Sequence, residues 1–203
     1  SEAPDLLAWG LLERGGSESL LGIYGKALAD LLEARRMFIQ LHMPGAAAQT
    51  LQEIGIAYRR LGDTDKAREF LNESVAREQR SNHKETLTIS LIQLGYADQE
   101  SGHYEQALAT MRQALKLVPE SGDRQTRGSI QMAMASVLND MGRHPSALTL
   151  LDRAKRNLVV SGDNADMGTL EFEYGRAYAG NARPDQALLA YNRAESAFNT
   201  LGN

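Results

Sequence analysis

An internal repeat of 40 residues constrains the fold of this chain more than any other feature. Small residues recur at this interval in two series, and the second series follows the first by 12 residues in every copy. The first series is Gly55, Gly95, Ala135 and Gly175, and the second is Ala67, Ala107, Ala147 and Ala187. Two series in one register indicate a chain built from stacked copies of one supersecondary unit.

Each copy has the pattern of two helices joined by a tight turn. Before the turn, apolar residues such as Leu51, Ile54 and Tyr58 follow one another at steps of three and four, which is the helical period. Prolines at 145 and 184 fall in the first turn of a second helix, where a missing amide hydrogen costs little. Strand-like alternation is absent, so the sequence predicts an all-α fold.

Two copies depart from this pattern. Gly62, Gly102 and Gly142 occupy the turn, but the last copy has Ala182 there, which predicts a shifted turn or a left-handed cap at Gly180 or Asn181. The first copy has Gly15 and Gly16 within its first helix. A glycine there costs about 1 kcal/mol relative to alanine, so we expect that helix to be irregular or displaced.

These residues resemble the tetratricopeptide repeat. The third copy carries most of the pattern, although Asp98 replaces a tyrosine that Tyr58 and Tyr178 supply in their copies. Its matching residues are Leu91, Leu94, Gly95, Gly102, Tyr104, Ala107, Met111, Ala114 and Pro119. The resemblance implies an all-α fold, an α-α superhelix of about five helix-turn-helix repeats with a degenerate first one. The expected repeats are 8–47, 48–87, 88–127, 128–167 and 168–203, in a single domain over 1–203.

The resemblance also implies a function, the binding of a protein or peptide in a concave groove lined by first helices. Repeats of 40 residues look like the arrays of bacterial signalling proteins. We therefore expect a non-catalytic regulatory or sensory module, attached to an output domain such as a diguanylate cyclase, a kinase or a transcription regulator. The start at Ser1, with neither Met nor a signal region, predicts a segment taken from a longer protein.

Projecting the repeat register onto the first helices predicts the residues that face a ligand. They are Gln52, Ile56, Arg59, Ile92, Tyr96, Gln99, Met132, Ser136, Asn139, Phe172 and Arg176. Apolar members would accept side chains, and polar members would bind a backbone or an acidic group. The alternative is that half of them only pack between helices. The lysine and asparagine clamp of chaperone-binding relatives is absent, which disfavours chaperone tails.

The end of the chain predicts a second surface. Terminal repeats need a polar cap, and none follows the last helix of the pattern. Tyr191, Phe198 and Leu201 are therefore expected to contact another subunit or domain. This supports an alternative function, an oligomerisation or scaffold module that forms a homodimer.

Composition excludes several classes of function. Lys and Arg number 22 against 26 Asp and Glu, and the net charge of −4 disfavours direct nucleic-acid binding. Cysteine is absent, which removes disulfides and thiolate chemistry. The longest nearly apolar stretch, 6–12, is far short of the ~20 residues of a membrane span. We expect a soluble segment, cytoplasmic or periplasmic.

Catalytic, metal and cofactor sites are not predicted. The four histidines, His42, His83, His103 and His144, lack the three- or four-residue spacing that places two ligands on one helix face. His103 and His144 are interpreted as solvated turn residues. No phosphate-binding glycine loop and no suitably spaced carboxylate pair occurs. Trp9 is interpreted as a packing anchor.

Overall fold

The computed structural model describes residues 3–81, 84–119, 122–159 and 164–200. These residues hold ten α-helices and no strand, which confirms the all-α prediction. Their contacts divide the chain into two compact units, residues 1–103 and 104–203. The single domain expected over 1–203 stays a prediction.

The helices recur at the interval of the sequence repeat. The first unit contains α1 (Pro4–Leu20), α2 (Tyr24–Gln40), α3 (Pro44–Leu61), α4 (Thr64–Ser81) and α5 (Lys84–Glu100). The second unit contains α6 (Tyr104–Leu117), α7 (Arg124–Asp140), α8 (His144–Leu158), α9 (Asn164–Gly180) and α10 (Pro184–Asn199). The first helices of successive repeats start at 4, 44, 84, 124 and 164, four residues ahead of the expected repeat bounds.

Glycine allows the two helices of a pair to approach closely. A Cβ atom on Gly55 of α3 would lie 2.6 Å from Cγ of the fully buried Leu71, closer than real Cβ contacts. Gly15 of α1 meets Leu31 in the same way, at 2.7 Å. The expectation of an irregular first helix is wrong, because α1 continues through its glycines and this contact requires one of them.

The turns within the pairs use the left-handed backbone region. Gly22, Gly62, Gly102 and Gly142 all have positive φ angles. Ala182 adopts the same conformation, with φ 55°, so the turn neither shifts nor moves its cap to Gly180 or Asn181. The amide of Arg183 donates to the Tyr178 carbonyl at 2.9 Å, the same bond that closes the preceding turn, and it holds alanine in this conformation.

Apolar side chains fill the core of each unit. The largest fully buried residues of the first unit are Leu31, Phe38, Leu51, Ile54 and Leu71. Those of the second unit are Leu108, Met111, Ile130, Val137, Leu151, Leu158 and Leu170. The Trp9 ring lies edge-on to Phe38 at 4.9 Å, as a packing anchor should. No helix of the described residues has the length and apolarity to cross a membrane.

Polar contacts join equivalent or nearly equivalent positions of neighbouring repeats. In the first unit, Ser90 donates to Gln52 at 3.1 Å, and Arg35 pairs with Glu73 at 3.1 Å. In the second unit, Arg176 lies 3.3 Å from the hydroxyl of a serine on α7, 40 residues earlier. These contacts fix the rotation of each helix relative to its counterpart in the next repeat.

The departure from the family pattern at Asp98 has a structural role. Asp98 is only 4% exposed, and Nε of Arg68 on α4 donates to its carboxylate at 2.7 Å. A buried charge requires such a partner. The ion pair therefore joins α4 to α5 at the position that a tyrosine occupies in two other copies.

Candidate functional site

The first unit contains a cavity bordered by α1, α3 and α5, which we call the inner cavity. Its volume is about 390 Å³. It is lined by Leu12, Glu13, Gly16, Ser17, Leu20, Gln49, Gln52, Glu53, Ile56, Arg60 and Ile89. All three helices are the first helices of their pairs, so the cavity lies on the face where the sequence predicts a groove.

The inner cavity exists because one side chain is missing from the repeat. Position 16 is glycine in α1, whereas the positions 40 and 80 residues later hold Ile56 and Tyr96. A Cβ atom on Gly16 would have a single neighbour within 4 Å, Oε2 of Glu53 at 3.9 Å. The adjacent Gly15, by contrast, points into the core. Two adjacent positions of α1 thus hold a glycine that packs and a glycine that leaves space.

Glu53 of α3 is the central polar group of the inner cavity. Its side chain is half-buried, and among the described residues no hydrogen bond reaches its carboxylate. Burial raises the pKa of the Glu53 carboxyl above its ordinary value of 4.5, Arg60 opposes this rise, and Glu13 adds to it. A carboxylate in this setting has lost part of its hydration without gaining a hydrogen-bond donor.

The neighbouring charges leave the inner cavity with an acidic balance. The exposed Arg60 directs Nη1 toward the hydroxyl of Ser19, 3.4 Å away, at one side of the cavity. Glu13 of α1 also lines the cavity. Two carboxylates and one guanidinium therefore surround a space whose other walls include leucine and isoleucine.

The predicted groove residues of the first unit divide into two sets. Gln52 and Ile56 line the inner cavity. Arg59 instead pairs with Glu100, and its guanidinium carbon lies 5.4 Å from the centre of the Tyr96 ring. Ile92 and Gln99, both half-buried on α5, do not line the cavity.

The predicted polar residues of the second unit belong to one hydrogen-bonded network. The buried Asn139 of α7 donates to Oε2 of Glu173 on α9 at 2.8 Å. Arg176 pairs with Glu173 at 3.0 Å and also with Asp140. Burial alone would lower the pKa of Arg176, but the hydrogen bond with Asp140 and the charge of Glu173 raise it. Its guanidinium is held charged by these acids, and Ser136 lies within the same network.

The predicted apolar residues of the second unit differ in exposure. Met132 is 8% exposed, whereas Phe172 is 46% exposed and lies 5.8 Å from the Tyr191 ring. Phe198 covers Gly168, whose Cβ would meet the ring at 2.7 Å. Leu201 lies outside the described residues. These contacts place Phe172, Tyr191 and Phe198 on the terminal helix pair.

The histidines form no metal site within the described residues, where no group of three or more His, Asp or Glu could hold an ion. His103 is exposed in its turn, as expected. The interpretation of His144 as a solvated turn residue is wrong, because it begins α8, contacts Asn139 at 3.3 Å and covers Gly180. His83 lies outside the described residues.

Sequence reasoning missed most of the polar lining of the inner cavity. Glu53 and Arg60 each stand one position after a predicted residue, so the face of α3 that lines the cavity extends beyond the predicted one. The predicted groove residues include none from α1, whose Glu13 and Ser17 also line the cavity. The available signal was the second glycine, which the packing of the pair does not require.

Family comparisons agree with this architecture. A family profile described as tetratricopeptide repeat matches residues 6–80 and 126–200, and a second with the same description matches 89–121. The chain therefore belongs to the tetratricopeptide repeat family. This confirms the resemblance and the fold class, an all-α solenoid of helix pairs. A comparison with curated proteins finds no match to this sequence.

Solved structures of similar fold cover nearly the whole chain. A Podosopora anserina protein described as kinesin light chain with nearly identical TPR-like repeats has 18% identity and a TM-score of 0.77, over 99% of both chains. BtubC (BKLC) from P. vanneervenii has 17% identity and a TM-score of 0.82, over 98% of this chain and 83% of its own. A Rap protein complexed with Competence and Sporulation Factor has 10% identity and a TM-score of 0.78, over 100% of this chain and 66% of its own. At these identities the likeness shows the fold alone.

Proposed function

We propose that this chain is a non-catalytic binding module whose first unit holds a segment of a partner protein in the inner cavity. The observation that carries the proposal is the cavity itself, since it combines apolar walls with a few converging polar groups. Membership of the tetratricopeptide repeat family supports protein binding as the general activity. The structure of a Rap protein with its factor supplies an example of a bound partner on a similar fold.

The proposal includes a regulatory role in a larger bacterial signalling protein. Its support is the resemblance of the 40-residue copies to arrays in such proteins. In this role, the occupied and empty states of the module would differ in the contacts made by α1, α3 and α5, and an attached output domain would respond to that difference.

A selection experiment tests the proposal. A random peptide library displayed on phage is selected against the immobilised chain, and the dissociation constant of each enriched peptide is measured by fluorescence anisotropy. In Gly16→Leu a side chain enters the inner cavity, and affinity should fall by more than about tenfold. Gly25→Leu is the control, since Gly25 is exposed and nothing lies within 4 Å of its Cβ position.

Two results would contradict the proposed function. One is that no peptide is enriched above the immobilisation background. The other is that Gly16→Leu and Gly25→Leu bind the enriched peptides as tightly as the original chain does. Circular dichroism of both variants establishes that they remain helical.

A second candidate function, self-association through the terminal pair, rests on a comparison between repeats. Phe198 and Phe172 are 43% and 46% exposed, whereas the residues 40 positions earlier, Leu158 and Met132, are 0% and 8% exposed. The pair formed by α7 and α8 is covered at these positions, whereas the pair formed by α9 and α10 presents the equivalent residues uncovered. A second copy of this chain would bury it.

Light scattering across a concentration series tests this candidate. Leu188 on α10 is 63% exposed and lines a surface pocket with Tyr191, whose ring contacts Phe172, so Leu188→Glu should dissociate a dimer without disturbing the core. Leu32→Glu, at a leucine of α2 that is 41% exposed, is the matched control. A monomeric mass at every concentration would reject the second function.

A further inference from the structure

We infer that the inner cavity selects a basic side chain, and that Glu53 is the residue that recognises its charge. This inference rests on the proposed function and names the chemistry of the partner segment: an arginine or lysine enters the cavity with its aliphatic stem along the apolar walls.

The first support is the state of the Glu53 carboxylate. It lies half-buried beside Gly16, and among the described residues it accepts no hydrogen bond. Two acids of other first helices differ in this respect. Glu173 accepts from Asn139 and Arg176, and Glu100 accepts from Arg59. Of these three carboxylates, Glu53 is the one whose acceptor capacity is open to a ligand.

The second support is the shape of the space above that carboxylate. The cavity of about 390 Å³ is large enough for a long side chain, and Leu12, Leu20 and Ile89 contribute apolar walls. Arginine and lysine bury their methylene stems along apolar surface and keep the charged head at a polar group. A cavity with apolar walls and a carboxylate beside them matches this division of the side chain.

The third support is the balance of charge. Glu13 faces the same space from α1, and Arg60 of α3 turns toward Ser19 at its edge. An anionic ligand would be repelled by the two carboxylates, Glu13 and Glu53. A cationic ligand would be repelled only by Arg60, at the edge of the cavity. Charge-assisted hydrogen bonds to a partly desolvated carboxylate are stronger than those between neutral groups.

Nuclear magnetic resonance with two small probes tests the inference. The probes are N-acetyl-L-arginine methylamide and its citrulline counterpart, which has nearly the same shape and no charge. The arginine probe should shift the amide signals of Gly16 and Glu53 saturably. The citrulline probe should bind at least about tenfold more weakly.

Variants of the chain separate charge recognition from simple filling of the cavity. Glu53→Gln keeps the shape and should remove the preference for arginine over citrulline. Arg60→Met removes the like charge and should strengthen binding of the arginine probe. Glu195→Gln makes the same change in net charge at an exposed residue of the second unit and should leave both probes unaffected.

The results distinguish the inference from the function on which it rests. Equal binding of both probes, an arginine preference that survives Glu53→Gln, or no shift at Gly16 and Glu53 would overturn the basic-side-chain assignment. Enriched peptides that require the cavity but carry no basic residue would do the same while leaving the proposed function intact. Failure of Gly16→Leu to weaken any enriched peptide would reject the proposed function itself.

Discussion

Replacing each of two adjacent glycines of α1 by alanine should change the stability of the chain by different amounts. Gly16→Ala adds a methyl group with a single neighbour within 4 Å, the Glu53 carboxylate oxygen at 3.9 Å. Gly15→Ala adds the same group 2.7 Å from Cγ of Leu31 and 3.0 Å from the carbonyl oxygen of Ala27. Leu31 is fully buried, so neither neighbour can move freely.

The magnitudes follow from helix propensity and overpacking. Alanine is favoured over glycine within a helix by about 1 kcal/mol, and both variants receive this gain. Gly15→Ala also meets an overpacking cost of about 1–3 kcal/mol. Gly16→Ala should therefore be more stable than the original chain, and Gly15→Ala should lie about 1–3 kcal/mol below Gly16→Ala.

Thermal unfolding followed by circular dichroism measures this difference, since 1 kcal/mol shifts the midpoint of a chain of this length by about 2–4 °C. Gly10→Ala is the control for propensity alone, because nothing lies within 4 Å of that Cβ position. The reasoning is refuted if Gly15→Ala and Gly16→Ala stabilise the chain equally.

Three further changes test a turn, an ion pair and the cavity carboxylate. Ala182→Gly should raise the thermal midpoint by relieving a left-handed alanine. Gly142→Ala should lower the midpoint, because it costs about 1 kcal/mol of stability; midpoint shifts of the same sign would contradict this. In urea unfolding, Arg68→Leu should lower the free energy of unfolding by about 1–3 kcal/mol, because the buried Asp98 carboxylate loses its partner. Arg36→Leu, in an exposed ion pair, should change this free energy little, and equal losses in the two variants would count against a role for the Arg68–Asp98 pair. Because the pKa of Glu53 is raised in the folded state, the stability contributed by its protonated form is fully present below pH 4.5 and is lost as pH rises through the folded-state pKa. Glu53→Gln should therefore stabilise the chain, relative to the original, increasingly as pH rises through this range. A difference in urea midpoint that does not depend on pH would be inconsistent with this reasoning.

The fold could be predicted from the sequence because the repeat is carried by residues that packing requires. Gly55 must be small where Leu71 approaches it, and Gly62 must allow a positive φ angle. Requirements of this kind recur in every copy and therefore appear as periodicity. Ala182 shows the limit of that logic, because two hydrogen-bonded carbonyls impose the turn on a residue that disfavours it.

The candidate site was less predictable for a physical reason. A cavity depends on where side chains are absent: the 40-residue register aligns Gly15 with Gly55, but the surplus glycine at 16 does not by itself reveal that it faces a cavity. The partners of Arg59 and Arg176 also lie on neighbouring repeats, 41 and 36 residues away. The repeat register of a single sequence does not show which polar residues form hydrogen bonds with one another and which remain available to bind a ligand.

The polar contacts between neighbouring repeats have a consequence for how each unit assembles. Arg35 and Glu73 are 38 residues apart, and Arg176 and Ser136 are 40 apart, so each repeat docks by closing a chain loop of nearly constant length. The entropy lost on closing a loop depends on the logarithm of its length. Each added helix pair therefore loses the same loop-closure entropy as the pair before it. We expect that adding or removing a helix pair leaves the entropic cost of docking each remaining pair unchanged.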